Sequence, residues 1–240
     1  MIDSRAPDLS RLIERIHLKT PLIAFSDAPE PKWYTPLIRP GSSECVFSFF
    51  NDWLGGKTLH LTRDCYGCGG AGNWMWGIQI RKKEDFLEFL VDQEGLKANH
   101  DLMEKWIDSR RPYKAQHSHL FIGPFKEQLW KYIKTITFYV NPDQLSLLVI
   151  GAQYHSKPED PLPVLAPFGS GCMLLHPFDD LDISQAALGA TDIAMRQHLP
   201  SDMLAFTVTK TMFLRLCSLD HKSFLYKPFL KKLWKARKLK

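Results

Sequence analysis

The chain has 240 residues, 45% hydrophobic and 24% charged, an ordinary globular balance with enough side chains for a sizeable core. Its formal charge of +5 is concentrated at one end, since the last fourteen residues hold seven Lys or Arg and no acid. The remainder carries 24 basic against 26 acidic residues, which excludes a uniformly basic nucleic-acid-binding face.

No apolar run approaches the length of a membrane span, and the N-terminus "MIDSRAPDLSRLIERIHL" lacks the apolar stretch of a signal peptide. A cytoplasmic protein without a transmembrane segment is expected. In that setting five cysteines, an odd number, read as thiols or metal ligands rather than a disulfide framework.

In chain order, Leu9, Leu12, Ile13 and Ile16 share one helix face, "PLIAFSD" reads as a strand and the proline-rich 28–43 as a loop. Val46, Phe49, Phe50, Trp53 and Leu54 recur at helical spacing. The predicted helix covers 44–54, with Ser43 as N-cap, and Gly55-Gly56 ends it. "KTLHLTRD" (57–64) alternates like a strand and leads to Cys65, and "NWMWGIQI" reads as a short helix. "KEDFLEFLVDQ" and "DLMEKWIDSRR" read as a peripheral helix pair joined around Gly95.

"HLFIGPF" opens the second half. A strand is predicted over 135–140, then a turn at Asn141-Pro142 and a helix from near Asp143, with Pro142 in the first turn, where a missing N–H costs nothing. A proline-rich connection (158–168) follows. "DISQAALGATDIAMRQHL" and "LAFTVTK" each contribute a strand and "TMFLRLCSL" a helix. This irregular alternation predicts an α+β or mixed α/β fold, one central mixed sheet with flanking helices. The expected domain covers 1–222, followed by a basic amphipathic helix at 223–240. There Leu225, Phe229, Leu230, Leu233 and Trp234 form an apolar stripe opposite lysines. Such a helix suits an acidic partner, an anionic membrane or its own domain.

The stretch "TRDCYGCGGAGNWMWG" (62–77) concentrates the chemistry. Gly67, Gly69 and Gly72 spell G-x-G-x-x-G, but no long helix follows and no strand ends in an acid at the distance a dinucleotide site needs. The glycine turn can still hold an anionic group of a small molecule through its N–H groups, with Gly69, Gly70 and Trp74 as contacts. Cys65 and Cys68 form a C-x-x-C pair of the kind used in disulfide exchange, although the segment after them is short. Cys45, Cys68 and Cys172 fall at predicted turns or helix starts, where thiolates are favoured, so a metal or cluster site is a third reading. Buried thiols without metal are the plain alternative.

The order "SSEC", "CGGA", "TITFYVNPDQLSLLVIGAQY", "GSGC" and "LGATDIAMRQHLPSDMLAFTV" resembles the ArCR group, a domain of unknown function, over roughly residues 20 to 215. The resemblance implies no activity; it implies positions. Three family cysteines fall on Cys45, Cys68 and Cys172, and a glycine and an arginine on Gly189 and Arg196. Cys65 is not clearly part of the pattern, and Ala190-Thr191 and the basic C-terminal extension depart from it. Three matched cysteines suit an iron–sulfur cluster with one open iron, or zinc with an open position. Cys65 and His60 are the candidates for a fourth ligand, and Arg196 for gripping a carboxylate or phosphate.

His117 and His119 read as solvated histidines of a loop. Trp76, beside Trp74, reads as core or as the wall of a pocket. No G-x-S-x-G elbow, Walker loop or H-E-x-x-H helix is present in the sequence. Three functions stay open: a metal or iron–sulfur protein with a small-molecule pocket, a metal-free binder of an anionic ligand, and a cysteine-dependent redox enzyme using Cys68.

Overall fold

The computed structural model describes residues 7–29, 36–41, 44–67, 76, 82–109, 113–117, 119–167, 178 and 180–239. Within them the chain builds an α+β fold on one mixed sheet of eight strands. The strands are β1 (Ile23–Asp27), β2 (Leu37–Ile38), β3 (Thr58–Leu61), β4 (Leu120–Pro124), β5 (Ile133–Val140), β6 (Val164–Leu165), β7 (Ala186–Gly189) and β8 (Leu204–Thr209). Their order is β2-β3-β4-β1-β5-β8-β7-β6, with parallel pairing only at the two outer pairs. β1, β4, β5 and β8 are buried along nearly their whole length, as central strands covered on both faces must be.

Strand alternation sorts the side chains into two cores. On one face Ala24, Ile136, Phe138, Phe206 and Val208 meet helices α1 (Ser10–Arg15), α5 (Pro142–Gln153) and α7 (Lys210–Cys217). On the other face Ile23, Phe25, Leu59, Leu61, Leu120, Ile122 and Tyr139 pack with Phe47, Phe50, Trp53 and Trp76. Phe50 and Trp53 belong to helix α2 (Phe50–Leu54).

The start of α5 is encoded within four residues. The Asn141 side chain accepts from the Gln144 N–H, and the Gln144 side chain accepts from the Asn141 N–H, with Pro142 in the first turn. Gln144 then donates through Nε2 to the carbonyls of His17 and Ile16, at 2.8 and 3.2 Å, tying α5 to the end of α1.

The expected helix over 44–54 resolves differently. Cys45 is extended and caps a 3-10 turn, Val46–Phe49, which passes into α2; Ser43 lies outside the described residues. "KEDFLEFLVDQ" divides into α3 (Lys83–Glu88) and a π-helical turn, Phe89–Gln93, closed by the Glu94 N–H donating to the Phe89 carbonyl. With α4 (His100–Asp108) these residues form the expected peripheral pair, burying Phe86, Leu90, Met103 and Ile107. The segment 182–199, expected to contribute a strand, supplies β7 and then α6 (Ile193–Arg196), capped by Asp192. Strands β2 and β6 lie in segments read as loops, because two residues are too few to show a period. The helix expected from "NWMWGIQI" lies outside the described residues apart from Trp76.

At the C-terminus a 3-10 turn, Phe224–Tyr226, leads into α8 (Pro228–Ala236). Leu225, Leu230 and Trp234 join the core of the helical face. Trp234 Nε1 donates to the Arg15 carbonyl at 3.0 Å, and Arg237 forks onto the Asp143 carboxylate. Among the described residues no helix is long and apolar enough to cross a membrane.

Candidate functional site

Cys45 is half-buried at the junction of an extended segment and a 3-10 turn, and packs against the core that holds Phe47, Trp53 and Trp76. Its carbonyl accepts from the Ser48 N–H at 3.0 Å and the Ser48 hydroxyl at 2.7 Å, which fixes the turn behind it.

The glycine stretch comes to this point. Gly67 is buried with φ +75°, the left-handed region. A Cβ there would lie 2.6 Å from Val46 Cγ1 and 3.0 Å from the Glu44 carbonyl oxygen. The chain entering Cys68 therefore runs against the residues on both sides of Cys45, which only glycine permits. Cys68, Gly69, Gly70, Trp74 and Cys172 lie outside the described residues.

Cys65 closes a four-residue turn. Its N–H donates to the Thr62 carbonyl at 3.1 Å and its carbonyl accepts from the Thr62 N–H at 2.9 Å. Its Sγ donates to the Pro40 carbonyl. Burial pushes this thiol up, against the opposing charge of Arg39. Without a bound metal Cys65 is thus held as a protonated donor, the opposite of what an attacking thiolate needs.

Buried aromatic side chains surround Cys45. Phe25 lies 6.0 Å from Trp76, Phe50 lies 4.9 Å edge-on from Tyr139, and Trp53 lies 6.5 Å from Tyr139. Trp53, Trp76 and Tyr139 are all 1% exposed or less, yet Trp53 Nε1, Trp76 Nε1 and the Tyr139 hydroxyl have no hydrogen-bond partner among the described residues. Three neutral donors left over in one apolar core are unusual, since each unmet buried donor costs about 1–3 kcal/mol. Burial also pushes the Tyr139 phenol well above its ordinary range, so it stays protonated.

Two hydrogen-bonded groups on the inner strands of the sheet were not expected from the sequence. Asp27, fully buried at the end of β1, accepts from the Tyr113 hydroxyl at 2.6 Å, the Gln116 N–H at 2.7 Å, and His117. Tyr113 packs edge-on against Phe25 at 5.7 Å, and its phenol is pushed up by burial, then by the bond to Asp27 and its charge. An acid closing a fully buried, mostly apolar strand, "IAFSD", was the available signal. His60 and His119 share a hydrogen bond at 2.9 Å between Nε2 and Nδ1. The reading of His117 and His119 as solvated is thereby corrected: both are half-buried and bonded.

His60 also falls outside the Cys45 group. Leu59 and Leu61 pack in the Cys45 core, so the pleat turns His60 to the other face, where it stacks on Phe121 at 4.9 Å. The sheet stands between His60 and Cys45, which removes His60 as a fourth ligand beside that thiol. Burial, then His119 and Arg39, brings His60 down to about 4, so its ring is neutral at pH 7.

Arg196 is engaged by main chain. Its guanidinium donates to the carbonyls of Met203, Pro200, Ser201 and Ala190, clasping the turn after α6. Asp192 caps α6 by accepting from the Ala194 N–H. Neighbouring Ala190 is fully buried with φ +63°, in the core that Cys45 contacts, and the clasp holds this strained backbone in place.

Among the described residues no group of three or more His, Cys, Asp and Glu side chains is placed to hold a metal. A metal site including Cys45 would need at least one ligand from outside the described residues.

Residues 11–218 match the family model described as uncharacterised ArCR, a domain of unknown function. No curated protein and no solved structure matches the chain.

Proposed function

Because the chain belongs to the uncharacterised ArCR family, whose description names no activity, we propose its function from its own residues. The protein binds a metal ion or iron–sulfur cluster through Cys45, Cys68 and Cys172, beside a pocket for a small anionic molecule. One observation carries this reading: Gly67 is pressed between the Glu44 carbonyl and Val46, so the segment leading to Cys68 passes alongside Cys45. Soft thiolates at such a junction suit zinc or iron–sulfur chemistry, and the cytoplasm keeps them reduced. The bound group would supply an open coordination position. The glycine turn at Gly69 and Gly70, with Trp74, would hold the ligand's charge.

The test is elemental analysis and the visible absorption spectrum of protein purified without oxygen, compared with Cys45→Ser. Iron or zinc near one equivalent per site, lost in the variant, supports the reading; metal-free protein with full secondary structure sinks it.

A second reading has its own observation. The donors of Trp53, Trp76 and Tyr139, without partners among the described residues, are neutral, and they suit a ligand's acceptor oxygens without any metal. The redox-enzyme reading is weaker, because Cys65, the partner of Cys68 in the C-x-x-C, is held as a protonated thiol.

A further inference from the structure

A groove of about 850 Å³ runs between α1 with the turn after it and the C-terminal segment. Its volume falls in the range of small-molecule sites. Leu18, Leu225, Leu230 and Trp234 line its base, each no more than 8% exposed. The lips are basic: Arg15 and Lys19 belong to one wall, and Lys227, Lys231, Lys235 and Lys238 to the other. Glu14 is the only acid of the lining, and none of the five lysines makes an ion pair with another described residue.

The walls are set before anything binds. Gln144 holds the carbonyls of Ile16 and His17, Trp234 Nε1 holds the Arg15 carbonyl, and the Trp234 ring meets His17 edge-on at 4.9 Å. Arg15 lies over the Tyr226 ring at 4.6 Å, further tying the two sides. Such preorganisation lowers the entropy lost on binding.

We infer that this groove binds a single-chain amphiphile with an anionic head, its alkyl chain on the apolar base and its carboxylate or phosphate among the lysines of the lips. The base argues for a chain rather than a helix. Its apolar side chains are nearly covered and lie at the bottom of a slot, which a flexible alkyl chain can enter. An α-helix with side chains is about 10–12 Å across and needs a broader exposed apolar face than these covered side chains offer. The row of cations matches an anionic head in sign, and among the described residues its lysines have no acidic partner. This inference is independent of the thiol site, lies on the opposite face of the sheet, and involves α8, which follows the family-matched residues.

The experiment titrates the full chain by calorimetry with oleate and, separately, with oleoyl lysophosphatidic acid, each below its micelle threshold. Saturable one-to-one binding of either is expected, and the arm that binds identifies the head as carboxylate or phosphate. Lys231 and Lys235 are exposed, so Lys231→Glu/Lys235→Glu leaves the fold intact. It should weaken binding by about tenfold or more. A brominated acyl chain should quench tryptophan emission in the parent protein, and Trp234→Phe should remove that component. Absence of binding below the micelle threshold overturns the inference. So does binding that the double charge reversal leaves unchanged, attachment only to anionic phosphatidylglycerol vesicles, or preference for an acidic amphipathic peptide over both lipids.

Discussion

Asp27 and His117 are joined twice, by the His117 backbone N–H to Oδ1 at 3.0 Å and by the ring Nδ1 to the same oxygen at 2.7 Å. With Tyr113 and Gln116 on Oδ2, this one buried carboxylate anchors the segment 113–117 across the end of β1. Asp27→Ala would strand a hydroxyl and two backbone N–H groups at once. A loss of about 3 kcal/mol is expected from urea unfolding. Tyr113→Phe removes one donor and leaves the others, so about 1 kcal/mol is expected. Equal midpoints for parent and Asp27→Ala would show that the anchor carries no weight.

His60 makes stability depend on pH in a defined direction. Its folded value is lowered to about 4, mainly by burial. The unfolded chain titrates near 6.5 and so takes up a proton first on acidification. The contribution is whole above about pH 6.5, declines as pH falls toward 4, and changes no further below that, a total of about 3 kcal/mol. His60→Phe, which keeps the ring against Phe121, should flatten the stability profile across this window. An unchanged slope would assign the titration to another group.

The two turn glycines separate conformational strain from steric contact. Gly56 has φ +89° with open space where a Cβ would stand, whereas Gly67 has φ +75° and a wall at 2.6 Å. Gly56→Ala should cost about 1 kcal/mol, the strain of a left-handed alanine alone. Gly67→Ala should cost about 3 kcal/mol, since Val46 must also move. Thermal unfolding of the pair decides it: equal losses would mean that Gly67 does not bear on the Cys45 turn as described.

The central strands and the start of α5 were legible because their signals are local. Residues 141–144 carry a complete helix start, and the apolar strands reach full burial as their composition implies. Relationships set by tertiary packing were not legible. Nothing near Asp27 in sequence announces donors 86 to 90 residues away. His60 was considered beside the thiols because it precedes Cys65 by five residues, but strand alternation sends it to the other face. Arg196 has a guanidinium suited to anions, and the turn of its own backbone uses it first. Cys45 was expected in the first turn of a helix and is instead extended before a 3-10 turn, and the passage of Gly67 against Glu44 and Val46 depends on a close approach that only glycine allows.

The bond from Trp234 to the Arg15 carbonyl closes a loop of 219 residues. Closing a loop of that size costs entropy that grows only slowly with length, but the contact cannot form until residue 234 has been made. On the ribosome, α1 must therefore wait for α8 before this contact can close. A force probe pulling on the two ends would load this same contact before any strand pair in the sheet.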